Sequence, residues 1–204
     1  MTRIILVRHG ETAWNKVERF RGRAEVPLNE VGMSQAEATA RRIERVWRAV
    51  AVYSSPLSRA TRTAEAIAGR LSLRVQVHAG LVDIDYGKWQ GLSPDEVRRQ
   101  WPELLTDWYR APHTVRIPGA ESLDALRTRC ADAIEDIVAR HEEDTVVLVG
   151  HTVVNRIILL ITLGLPNERF WHIRQDTCAL NELEADGAEF TVVSMNDTCH
   201  LHPT

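Results

Sequence analysis

The chain has 204 residues, 44% of them hydrophobic, and a formal net charge of −3, which suits one domain with a full apolar core. So small a net charge provides no global attraction to nucleic acid or to an anionic membrane, and both are excluded as expected partners. Cys130, Cys178 and Cys199 are odd in number and widely spaced, which argues against a disulfide framework and for a reducing compartment.

The first predicted element is a strand over Arg3–Val7, followed by an arginine-rich loop through Arg19, Arg21 and Arg23. A helix begins near Asn29, whose side chain can cap it, and carries Ala36, Ala40 and Ile43 at helical spacing. A second strand, Val50–Ser54, is followed by Pro56, placed where a helix can start without losing a hydrogen bond. That helix presents Ala60, Ala64 and Ile67 on one face. Residues 74–83 read as extended, and a loop with Gly87 and Gly91 follows. Ser93-Pro94-Asp95-Glu96 opens one helix and Trp101-Pro102 the next. A long amphipathic helix follows Ser122, with Leu126, Ala133, Ile134 and Ile137 on its apolar face, and ends near His141. Then come a strand over Thr145–Val149, a helix after His151, and extended segments at Ala179–Glu184 and Phe190–Met195. No linker, repeat or low-complexity stretch divides the chain. The alternation predicts a single three-layer α/β/α domain over residues 1–204 with a mostly parallel central sheet. The opening apolar run stops at Arg8, too short for a signal-peptide core, and Ile157–Ile161 is too short to span a bilayer. The expected location is cytoplasmic.

Two of these strands end in the same way. Ile4-Ile5-Leu6-Val7-Arg8-His9 and Val146-Val147-Leu148-Val149-Gly150-His151 are aliphatic runs that stop at a histidine. In open α/β sheets ligands bind beyond the carboxyl ends of the strands, so both imidazoles are expected at one edge. Arg8 precedes the first, and Arg59 follows the second strand. Imidazole among guanidinium groups suits an anion, above all a phosphate, held by arginine while a ring nitrogen attacks it.

Five segments carry a family pattern in order. Leu6-Val7-Arg8-His9-Gly10-Glu11-Thr12 with Trp14-Asn15 resembles the opening motif of the histidine phosphatase superfamily, the phosphoglycerate-mutase-like proteins. Ser54-Ser55-Pro56-Leu57-Ser58-Arg59-Ala60 is similar to its second motif, and Gly150-His151 with Arg156 to its last. The run from Leu81 to Gly91 resembles the segment holding the proton donor, and Gly119-Ala120-Glu121-Ser122 the turn before the long helix.

The resemblance implies that His9 is the nucleophile and forms a phosphohistidine. Arg8, Arg59 and His151 then hold the phosphoryl oxygens, and Asn15 and Arg21 lie in the loop over the phosphate. No metal or cofactor is implied, since guanidinium and imidazole supply the positive charge. The proton-donor position is Asp83, where close relatives carry glutamate. Asp85 stays open as an alternative, because strand alternation would point both to the same side. Arg21 stands where several relatives have a smaller polar residue.

Other features have plainer readings. His78, His113, His141 and His172 are expected as surface or capping residues, Arg62 as a surface ion-pair former, and Trp14, Trp89, Trp101, Trp108 and Trp171 as core or lid packing. The tail Thr198-Cys199-His200-Leu201-His202 is not read as a metal site.

Glycolytic mutases of the family are longer than this chain, which favours a phosphatase open to water. Ile84-Asp85 with Gly87 and Trp89, Trp108 with Pro112-His113, Gly150-His151-Thr152-Val153 and the tail at Cys199-His200-Leu201 resemble the metal-independent phosphoserine phosphatases of bacteria. Tyr86 departs from that subgroup, where a histidine helps choose the substrate. The expected partner is a small phosphomonoester, phosphoserine being the specific expectation. Tyr86, Thr152 and His200 are added to the substrate-binding set, with His200 or backbone amides of the tail facing the substrate's carboxylate. A mutase and a non-catalytic phospho-ligand binder are the alternatives, and a homodimer stays open.

Overall fold

In the computed structural model, which describes residues 1–187 and 189–202, six strands form one sheet. They are β1 (Thr2–Arg8), β2 (Ala49–Ser54), β3 (Val75–Val77), β4 (Thr145–Gly150), β5 (Leu180–Asp186) and β6 (Glu189–Asp197). Their spatial order is β3-β2-β4-β1-β5-β6. The first four lie parallel to one another, and β5 and β6 complete one edge antiparallel. The α-helices are α1 (Ala13–Lys16), α2 (Glu30–Val46), α3 (Ser58–Leu71), α4 (Pro94–Gln100), α5 (Pro102–Arg110), α6 (Leu123–Ala139) and α7 (Thr152–Thr162). No described helix is long and apolar enough to cross a membrane.

Strand alternation divides the core between the two faces of the sheet. Ile5 and Val7 of β1, with Val147 and Val149 of β4, pack against Ala40 and Ile43 of α2 and Ala60, Ala64 and Ile67 of α3. Ile4, Leu6, Val146 and Leu148 point the other way, onto Leu126, Cys130 and Ile134 of α6 and Val154, Ile157 and Ile158 of α7. Each large aliphatic side chain so buried contributes about 1.5–3 kcal/mol. The predicted three layers follow directly.

Register then brings the two histidines together. β1 pairs with β4 so that Leu6 faces Leu148 and Arg8 faces Gly150. The next residues, His9 and His151, therefore leave the sheet side by side. The chain turns to opposite faces after them, into α2 and α7, which opens a crevice at this edge.

Local signals place the helix starts as read, with one exception. Asn29 accepts from the Gly32 amide at 2.8 Å, Ser122 from that of Ala125 at 3.1 Å, and Ser93 and Glu96 cap each other. Pro56 does not open α3, which starts two residues later at Ser58. The extended reading of 74–83 is also corrected. Only Val75–Val77 joins the sheet, and Ala79–Leu81 forms a 3-10 turn whose Gly80 amide bonds to His78. β3 is the edge strand and its neighbour β2 ends at Ser54, opposite Val77, so the backbone beyond turns instead of pairing.

Gly32, in the first turn of α2, packs directly on the loop after His9. A Cβ on Gly32 would stand 2.1 Å from the Glu11 carbonyl oxygen, and one on Gly10 2.5 Å from that of Gly32. Both obstacles are backbone. Gly32→Ala is therefore expected to cost about 1–3 kcal/mol, read as a fall in Tm of about 2 °C or more. An unchanged Tm would show that this close approach is not required.

Candidate active site

His9 is 1% exposed, and its Nδ1 lies 2.7 Å from the Gly10 carbonyl oxygen. A carbonyl only accepts, so the proton resides on Nδ1 and the Nε2 lone pair is left free. Burial, then the neighbouring His151, Arg59 and Arg8, push the pKa of His9 well below the ordinary imidazole value. The ring is accordingly neutral at physiological pH, as a nucleophile must be. The His151 ring centroid is 5.1 Å away.

Arg59 comes from the first turn of α3 and is completely buried. It donates to the Gly22 and Ala24 carbonyls at 2.7 and 2.8 Å and to Asp83 Oδ2 at 3.2 Å. One guanidinium thus ties the arginine-rich loop to the Asp83 segment. Arg8 donates to the Gln175 carbonyl at 2.6 Å. The Nε atoms of Arg8 and Arg59 are buried without a partner among the described residues. Burial presses both guanidinium groups below their ordinary pKa, a cost that a bound anion relieves. His151 is wholly buried, with Nε2 2.7 Å from Ser55 Oγ and Nδ1 3.7 Å from Asp83 Oδ2.

Asp83 is 5% exposed, and its Oδ1 accepts from the Ile84 amide at 3.0 Å. Burial raises its pKa, and Arg59 and Arg21 oppose the rise without cancelling it. Asp85 does not share this environment. The segment is not a strand, so alternation does not apply. Its Oδ1 accepts from the Gly87 amide, and its Oδ2 lies 3.7 Å from Arg23, part-way into solvent.

Above these groups lies a cleft of about 430 Å³ lined by Arg8, Arg21, Asp83, Tyr86, Arg156 and Trp171, among others. His9, Arg59 and His151 are not themselves among the lining residues; they are buried behind Arg8 and Asp83, with Arg59 and His151 both next to Asp83 Oδ2. Of the expected substrate-binding residues, Asn15, Arg21, Tyr86 and Thr152 line the cleft. The Asn15 side-chain oxygen is already engaged by the amide and hydroxyl of Thr12, leaving its NH2 for a ligand. Tyr86 packs edge-on against Phe20 and Trp108.

His200 is not where it was expected. The tail packs against α2, and His200 Nε2 lies 3.0 Å from Thr39 Oγ1. His200 is not among the residues lining the cleft. A buried hydroxyl on α2 offers a partner that the sequence gives no means of anticipating.

The sequence reading also passes over three contributors. Ser55 orients His151, Gln175 holds Arg8 through its main chain, and Arg156 enters the cleft wall beside Phe170 and Trp171. Ser55 and Arg156 sit inside quoted motifs and were accessible there. Gln175 carries no local signal.

Residues 4–198 match the model of the histidine phosphatase superfamily, branch 1. The chain is 35% identical over 201 residues to phosphoserine phosphatase 1 of Hydrogenobacter thermophilus, covering 98% of this chain and 95% of that one. Its structure superposes on Bacillus stearothermophilus YhfR with a TM-score of 0.94 and 31% identity, covering 99% and 100% of the two chains. It is also similar to a mutant phosphoserine phosphatase of Entamoeba histolytica in complex with phosphoserine, with a TM-score of 0.85, 26% identity and 99% and 100% coverage. Motif order, sheet topology and these likenesses agree: the chain belongs to the histidine phosphatase superfamily, branch 1, and is a phosphatase.

Proposed function

We propose that the chain is one histidine phosphatase domain over residues 1–204 that hydrolyses small phosphomonoesters, with phosphoserine as the preferred substrate. The observation that carries this reading is the neutral His9, with Nε2 free and two buried arginines beside it. In this mechanism Nε2 attacks phosphorus in line with the ester oxygen. Arg8, Arg59 and His151 take the charge that grows on the phosphoryl oxygens, as electrostatic preorganisation requires. Asp83 gives its proton to the departing alkoxide. The phosphohistidine is then opened by water, whose proton returns to Asp83. Asn15 and Arg21 close over the phosphate, while Tyr86 and Thr152 face the rest of the substrate.

Two likenesses support phosphoserine, namely the name of the Hydrogenobacter relative and the bound phosphoserine of the Entamoeba neighbour. The test is a phosphate-release screen over phosphoserine, phosphothreonine, 3-phosphoglycerate, sugar phosphates and an aryl phosphate. The highest kcat/KM is expected on phosphoserine; preference for a sugar phosphate would reassign the substrate. Turnover is expected to persist in EDTA, because guanidinium and imidazole carry the charge, and orthovanadate is expected to inhibit by imitating the five-coordinate phosphoryl group. Loss of activity on chelation with recovery on adding Mg2+ or Zn2+ would overturn the metal-free mechanism.

A further inference from the structure

The arginines of the cleft wall are not equivalent. Arg19 is paired with Glu96 and Arg174 with Asp176. Arg8 and Arg21 act on the charge of His9. Arg156 stands apart, felt by Arg8 on one side and by Tyr86 on the other. Its Nε donates to the Ile173 carbonyl at 2.7 Å, and its guanidinium carbon lies 5.0 Å from the Phe170 ring centre and 4.8 Å from that of Trp171. The head group is thus clamped by two aromatic faces and one hydrogen bond, and among the described residues no carboxylate pairs with it. Stacking of this kind fixes the guanidinium plane and spares the entropy of ordering it on binding.

One helical turn earlier on α7, Thr152 lies on the same face as Arg156 and also lines the cleft. Its Oγ1 is buried without a hydrogen-bond partner among the described residues. A buried hydroxyl left unsatisfied is costly, and a ligand oxygen would relieve that cost. A positioned cation without a counter-charge and an unsatisfied donor therefore share one stretch of wall, next to Arg8 but on the Tyr86 side of it.

We propose that Arg156 and Thr152 form a second anion subsite, which takes a carboxylate on the substrate while Arg8 and Arg59 take its phosphate. The substrate class is then the phosphate esters of small hydroxy acids, in preference to esters of neutral or cationic alcohols. A planar guanidinium with one neighbouring hydroxyl fits a planar carboxylate, whereas the phosphoryl group occupies the richer set around His9. This moves carboxylate recognition from the tail, where His200 is turned to Thr39, to the start of α7. The inference rests on the phosphomonoesterase reading and deepens it.

The test compares kcat/KM on O-phosphoserine, on O-phosphoethanolamine, which lacks only the carboxylate, and on an aryl phosphate. The wild-type chain is expected to favour phosphoserine over phosphoethanolamine by about tenfold or more. Arg156→Gln is expected to lower kcat/KM on phosphoserine about 10- to 100-fold, the range for losing a charge-assisted contact, mostly through KM. The loss on phosphoethanolamine is expected to stay within about threefold, since that ester never makes the contact. Arg156→Lys, which keeps the charge and loses the planar fork, is expected to recover part of the preference. If the aromatic clamp collapses and Arg156→Gln does not fold, Thr152→Val serves in its place, with a smaller loss again confined to phosphoserine. Equal losses on both alkyl esters in a folded variant, or a wild-type chain indifferent to the carboxylate, would overturn the subsite. No turnover of any of the three esters would overturn the phosphatase reading, and the subsite with it.

Discussion

Alanine at position 9 is expected to remove turnover, with a loss of at least about 10⁴-fold, because the covalent step has no second candidate. The other imidazole at the strand edge is committed, since His151 Nε2 is bonded to Ser55. His9 alone combines a proton fixed on Nδ1 by the Gly10 carbonyl with an unengaged Nε2. Brief incubation with labelled substrate and an acid quench should leave acid-labile phosphate on the wild-type chain and none on the variant. Label on another residue, or substantial activity without His9, would sink the mechanism. The electrostatics add a pH signature. Burial and neighbouring positive charge depress the pKa of His9 and of His151 in the folded chain. Below about pH 6.5 the unfolded chain therefore binds protons that the folded chain refuses, and stability falls as pH falls through that value. NMR of the two imidazoles should show both still neutral at pH 6, and a normal titration of His9 near 6.5 would contradict the assignment.

The second large effect concerns the leaving group. Asp83→Asn is expected to lower kcat on an alkyl ester such as phosphoserine by about 10²–10⁴-fold. On an aryl phosphate, whose leaving group needs little protonation, the loss is expected to stay below about tenfold. Asparagine keeps one acceptor, enough for the Ile84 amide, but sets an NH2 where Oδ2 accepts from Arg59. The Arg59 contact is therefore lost together with the proton, and the aryl phosphate is the control that separates the two. A free aspartate titrates near pH 3.9, too low for a neutral-pH acid. Burial moves Asp83 upward against Arg59 and Arg21, and a bound phosphate dianion adds to that rise. Equal losses on the two substrates would remove Asp83 from the acid role. A larger loss from Asp85→Asn would transfer the role, against the geometry that points Asp85 to Arg23 and the Gly87 amide.

Much of this protein was legible before any fold was drawn, for a local reason. A buried parallel strand reads as an aliphatic run, and the residue that ends it lands at the ligand-binding edge of the sheet. His9, His151 and Arg8 were located in this way, and the capping residues Asn29, Ser93 and Ser122 needed only the few positions around them. The choice between Asp83 and Asp85 was not local. It depended on whether the segment after β3 finds a pairing partner, and without one the alternation argument fails. Likewise the tail's histidine was placed by Thr39, 161 positions away in sequence. Gln175 reaches Arg8 across 167 positions, and the clamp on Arg156 joins α7 to a 3-10 turn that no periodicity announces. Sequence alone thus determined the family, the layers and the strand-end position of His9, because strand periodicity and strand ends are set by neighbours along the chain. Tertiary structure decided which carboxylate and which cation meet the cleft, and that the tail's histidine meets α2 instead, because those contacts are made between segments whose separation only packing can close.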